Sequence, residues 1–140
     1  MFEHCLYFNS NALARTVTRI WAEAYKKFDL SPPHAFLVKV VLTKPGLSPR
    51  ELAEDLSLSR STVTRFLDSL EKKGFVRRES VGKDGREIQV YPTGKAEGIR
   101  DQLNETRAEL MERISTLLGE NEMPKTVATL RQTKSALEKK

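Results

Sequence analysis

Residues 48–86 constrain the fold of this 140-residue chain more than any other stretch. Ser48-Pro49-Arg50-Glu51 opens a short helix. A serine cap, a proline at the favoured first position and a glutamate placed to return the cap form a capping box. Leu52, Ala53 and Leu56 take the inward positions, and Ser57-Leu58 makes a turn. Ser59 caps a second helix with Val63, Phe66, Leu67 and Leu70 inward. Lys72 and Lys73 suit its negative end, and Gly74 supplies a left-handed stop. Phe75–Ser80 and Glu87–Tyr91 alternate in the strand manner around Gly82-Lys83-Asp84-Gly85-Arg86, which predicts a hairpin. Helix, turn, helix, hairpin is the order of a winged helix-turn-helix: mainly α, with a small β-hairpin wing.

The flanks are helical. Leu13, Val17, Ile20, Ala24 and Phe28 predict a first helix over Asn11–Phe28, with Asn9, Ser10 or Asn11 as cap. Ser31-Pro32 restarts the chain into a second helix carrying Phe36, Leu37, Val40 and Val41, which Lys44-Pro45-Gly46 ends. It is apolar almost all round and so belongs near the centre. Beyond Pro92, Thr93 caps a long helix whose Ile99, Leu103, Thr106, Leu110, Ile114 and Leu117 run close to a heptad seam. A final helix has Pro124 in its first turn and Val127, Leu130 and Leu137 inside. The polar end, Leu137 to Lys140, is expected to fray. The whole, 1–140, reads as one domain. Residues 31–92 are its winged lobe, and 1–30 and 93–140 are helices whose apolar stripes lack a partner in so small a lobe. A second copy would bury them, which points to a homodimer.

Charge narrows the function. Residues 57–95 hold nine basic and five acidic side chains, whereas 1–56 net +1 and 96–140 are neutral. A basic excess focused on one short helix and the wing is the footprint of a phosphate-binding face. The alternative is a solvated basic surface. No run approaches the ~18 apolar residues of a membrane span. One cysteine and no leader-like N-terminus lead us to expect a cytoplasmic protein with no membrane partner. No nucleophile–base pair, phosphate-cradling loop or metal-ligand spacing is present, so neither an enzyme nor a cofactor is expected, and His4 and His34 lie far apart.

The chain resembles the multiple antibiotic resistance regulator (MarR) family of bacterial transcription factors along its whole length. The residues that carry the likeness are Leu47-Ser48-Pro49-Arg50-Glu51-Leu52-Ala53 and Leu58-Ser59-Arg60-Ser61-Thr62-Val63-Thr64. Further along come Leu70-Glu71-Lys72-Lys73-Gly74-Phe75-Val76-Arg77-Arg78, Asp84-Gly85-Arg86 and Val90-Tyr91-Pro92-Thr93-Gly94-Lys95, with Pro92 in place of the usual leucine. The resemblance implies a triangular homodimer whose outer helices interlock and whose lobes reach adjacent major grooves.

On this reading the helix from Ser59 is the recognition helix. With its apolar face inward, Arg60, Ser61, Thr62, Thr64 and Arg65 face out near the N-terminal half, where such helices touch base edges. Either arginine can fork onto guanine. Ser48 and the free N–H groups beside it suit a phosphate, alongside its role as a cap. Arg86, at a glycine-flanked tip, can enter a narrow minor groove, and Lys83 adds attraction to phosphate. The resemblance places the matching arginine there, with Asp84 fixing the wing. The alternative is an Asp84–Arg86 surface pair worth ~0–1 kcal/mol. Two lobes imply a palindromic operator with half-sites roughly 34–36 Å apart.

Release from DNA has two candidate routes. Cys5-Leu6-Tyr7 resembles a peroxide-sensing branch of the family, in which oxidation of a cysteine near the first helix frees the DNA. Tyr7 and Tyr25 are candidate neighbours of the thiol, but Pro32 and Pro33 stand where that branch carries a tyrosine. The alternative is an incidental thiol. The second route is a small-molecule effector in a cleft beside Tyr25 and His34, with Trp21, Tyr25 and Phe36 read first as core. The functional reading is a homodimeric, sequence-specific DNA-binding transcriptional regulator, most simply a repressor. Its rival is a winged-helix module for protein–protein interaction.

Overall fold

The computed structural model describes residues 1–139. It forms two compact units, the first over Met1–Asn104 and the second from Glu105 onward. The first unit holds α1 (Leu6–Tyr25), a 3-10 turn (Lys26–Phe28), α2 (Pro32–Thr43), α3 (Pro49–Leu56), α4 (Arg60–Lys72), β1 (Val76–Val81), β2 (Glu87–Pro92) and α5 (Gly94–Gly98). Helix α6 (Arg100–Leu118) begins in it, and α7 (Glu122–Glu138) completes the chain. The end of the chain expected to fray includes Lys140, which lies outside the described residues.

The core of the first unit gathers around α2, as its all-round apolarity requires. Ala35, Leu37, Val38, Val41 and Leu42 are buried with Leu52 and Ala53 of α3, Val63, Leu67 and Leu70 of α4, and Phe75, Val76 and Val90 of the hairpin. The hairpin is antiparallel, with Val76 opposite Pro92 and Val81 opposite Glu87. A third edge was not foreseen. The Gly46 N–H donates to the Val90 carbonyl and the Val90 N–H to the Leu47 carbonyl, each at 2.9 Å. The segment leading into α3 is therefore stitched to the wing.

Three expectations need correcting. The first helix starts at Leu6, not Asn11, and its cap is Cys5, whose Sγ accepts the Phe8 N–H at 3.5 Å. The expected cap Asn9 lies inside the helix and turns its amide onto the Phe2, Glu3 and Cys5 carbonyls. Thr93 does cap a helix, but a short one. The backbone breaks at Ile99 (φ −105, ψ 1) between α5 and α6, just after Gly98. Finally, Val127, Leu130 and Leu137 are exposed, and α7 buries no side chain.

Candidate nucleic-acid interface

The first-helix capping box of the motif forms as its residues require. The Ser48 hydroxyl accepts the Glu51 N–H at 3.2 Å, and the Glu51 carboxylate accepts the Ser48 N–H at 3.1 Å. These bonds, the backbone one foremost, hold the Glu51 carboxyl below the usual carboxylate range. Lys44 pairs with Asp55 at 2.8 Å, tying the far end of α3 to the end of α2. Ser57 takes the left-handed conformation (φ 55), and the Leu58 N–H closes the turn on the Ala53 carbonyl. Ser48→Ala is expected to cost about 1 kcal/mol of stability, the usual worth of a cap, read as a lowered thermal midpoint.

Ser59 starts α4. Its hydroxyl accepts the Thr62 N–H at 3.2 Å and donates to the Thr62 hydroxyl at 2.8 Å, with the Ser61 hydroxyl 3.2 Å away. Arg60, Ser61, Thr64 and Arg65 are exposed. Among the described residues Arg60 and Thr64 have no side-chain partner, so their donors face solvent unspent. Thr62 is different: it is half-buried, and its hydroxyl also accepts from Arg65 at 3.3 Å. Phe66, read as inward, is only half-buried and meets His34 edge-on at 4.5 Å between ring centres.

At the wing, Gly82 (φ 92) and Gly85 (φ 66) adopt conformations that side-chain-bearing residues resist. Asp84 organises the turn. One carboxylate oxygen accepts the Arg86 N–H at 3.3 Å, and the other pairs with the Arg86 Nε at 3.3 Å. The surface ion pair is thus present, yet the Arg86 side chain stays 86% exposed. Asp84 aims the guanidinium without covering it, so the ion pair and a role for Arg86 on DNA are compatible. Lys83 is exposed.

Sequence reasoning missed two arginines on β1, because all their partners but Glu79 come from other elements. Arg77 lies over the Tyr91 ring at 4.7 Å and pairs with Glu79. Arg78, on the opposite face of the strand, reaches Asp68 and Glu71 of α4.

The effector residues separate. Tyr25 is 3% exposed and packs against Phe28 and edge-on against Phe36. An apolar cleft of about 350 Å³ is lined instead by Val17, Trp21, Pro32, Phe36, Leu56 and Leu58, among others. Phe36, read as core, is 44% exposed there. Nor can Tyr25 be a neighbour of Cys5 within the chain. The two lie at opposite ends of a 20-residue helix, about 30 Å apart.

Burial, with the Lys73 charge second, holds the His34 imidazole below its ordinary range. The unfolded chain then binds the proton more tightly than the folded one. Stability is full above the ordinary histidine value and is lost as the pH falls from there through the lowered folded value. The thermal midpoint is expected to fall between about pH 7 and pH 5, and less so in His34→Gln. Equal pH dependence in both proteins would reject this assignment.

Comparisons with known proteins agree with this geometry. The family model described as MarR family matches residues 30–88. The HTH-type transcriptional regulator TtmR of Methylorubrum extorquens is 28% identical over 71% of this chain and 51% of its own. MgrA of Staphylococcus aureus, another HTH-type transcriptional regulator, is 26% identical over 64% of this chain and 62% of its own. The match thus spans half to three fifths of these relatives. The DNA complex of S. aureus MepR shares the fold at a TM-score of 0.85 and 18% identity, covering 97% of this chain and all of MepR. The family model over residues 30–88, the two relatives and the shared fold make this chain similar to the MarR family.

Proposed function

We propose that this chain is a sequence-specific, DNA-binding transcriptional regulator acting as a homodimer on a palindromic operator, most simply as a repressor. The observation that carries the reading is the set of exposed cations on α4 and the wing: Arg60, Arg65 and Arg86, with Lys83 beside them. Arg60 and Arg65 serve base edges or phosphate in the major groove, and Arg86 serves the adjacent minor groove. Ser48 offers the α3 start to a phosphate. MepR, which shares this fold, has been crystallised with DNA, and this supports DNA binding here.

Apolar exposure speaks against the protein-interaction reading. Between residues 48 and 92, Ile88 is the one large apolar side chain with substantial exposure. A contiguous exposed apolar patch would favour a protein-docking face. Such patches lie elsewhere, at Leu6, Tyr7, Phe8 and Leu13 of α1 and at Val127, Leu130 and Leu137 of α7. These are the stripes that a second copy covers. On this division, residues 31–92 form the DNA-binding lobe, and 1–30 with 93–140 form the dimerisation region.

Of the two release routes, the effector has the better support. The cleft beside Trp21 and Phe36, rather than Tyr25 and His34, offers an apolar or aromatic molecule a site between α1, α2 and the turn before α4. Cys5 is exposed, but among the described residues no tyrosine hydroxyl bonds to its sulfur.

Hydroxyl-radical footprinting on the duplex upstream of the gene tests the proposal. The expected pattern is two protected windows about one helical turn apart, related by a dyad. Uniform cleavage along the duplex would reject it.

A further inference from the structure

Along α4, Arg60, Thr64, Asp68 and Glu71 follow at steps of four, four and three residues and so share one side of the helix. The face proposed to read DNA therefore turns acidic halfway along. Two carboxylates there repel phosphate and sit poorly at the negative end of a helix. One residue of the hairpin answers both. Arg78 lies on the same strand face as Val76, toward α4, and its side chain is 25% exposed. Its Nε donates to Glu71 at 3.0 Å, and its terminal nitrogen donates to Glu71 and forms an ion pair with Asp68 at 2.8 Å. A forked guanidinium holding two carboxylates fixes direction as well as distance.

Arg78 is also rooted in the ladder that carries the wing. It pairs across the hairpin with Val90, and Val90 in turn bonds Gly46 and Leu47, the entry to α3. From Arg78 the strand runs on to Val81, where the wing turn begins.

We infer that Arg78 is a positioning residue for DNA binding. It locks the hairpin to α4 so that Arg86 and the outward face of α4 present one surface, and it cancels the acids on that face. It does not itself contact DNA. This rests on the reading of α4 and the wing as the DNA interface.

The test is a double-mutant cycle on the full chain. R78M, R86A and the double variant are titrated with the upstream duplex, and each is melted. R78M is expected to bind about tenfold more weakly. The loss from R86A should be much smaller in the R78M background than in the wild type, because a loosened wing no longer delivers Arg86. R78K keeps the charge but not the fork. It is taken through the same cycle and decides the matter if R78M does not fold. Wild-type affinity in R78M, or full additivity of the two losses, overturns the positioning role while leaving the DNA interface intact. An R86A variant that binds like wild type overturns the wing reading and this inference with it.

Discussion

Arg86→Ala is expected to weaken binding to the operator by about 1–3 kcal/mol, about fivefold to 150-fold, with no change in fold or dimerisation. Its side chain is 86% exposed and its one partner is Asp84, so nothing in the folded core depends on it. The loss should be electrostatic in part, with the salt slope falling by about one contact. Fluorescence anisotropy at several salt concentrations reads both effects, and a thermal melt confirms the fold. Asp84→Ala should lower affinity less, because it frees the guanidinium's aim but leaves its charge. Unchanged binding by Arg86→Ala would remove the wing from the interface.

Leu130→Glu is expected to separate the dimer. Leu130 is 50% exposed in the single chain and lies with Val127 and Leu137 along α7. Burying a leucine is worth about 1.5–3 kcal/mol. A two-fold interface counts each substitution twice. The expected weakening is therefore at least about 3–6 kcal/mol before the cost of burying a carboxylate. Sedimentation velocity at micromolar concentration should show a dimer for the wild type and a monomer for the variant. DNA binding should fall to that of a single lobe. A wild-type monomer, or a variant dimer as tight as wild type, would contradict the proposed assembly.

The parts of this molecule legible in its sequence are those governed by neighbours a few residues apart. The Ser48–Glu51 box, the Ser59 cap and the glycines of the wing announce themselves because their partners lie within three residues. The inward face of α4 is equally plain, since Val63, Leu67 and Leu70 repeat at helical spacing. What escaped depends on distance. Cys5 is an unusual cap, and the residues after it, Leu6, Tyr7 and Phe8, face solvent in the single chain, so no amphipathic pattern marked the start of α1. The heptad-like seam ran through Ile99 and hid the break there, although Gly94 and Gly98 on either side of the short α5 were a signal.

The candidate site divides the same way. Arg60, Arg65 and Arg86 were found as charges at outward or loop positions. Arg78 was not, because a mid-strand arginine gains its role only when Asp68 and Glu71 arrive from another element. Phe36 was placed in the core on its apolarity. The structure puts it at the mouth of a cleft whose other wall, Val17 and Trp21, comes from α1. Val127, Leu130 and Leu137 were expected inside on periodicity, which identifies a face to be buried without naming the chain that buries it.

The central claim is that α4 and the wing together bind a specific DNA sequence. Fluorescence anisotropy of the purified protein with its own upstream duplex, beside a scrambled duplex of equal length and across a salt series, tests it most directly. The account predicts a clear preference for the upstream duplex and a steep fall with salt, about 0.9 in log–log slope for each phosphate contact. Failure to bind either duplex, even at low salt, would contradict it.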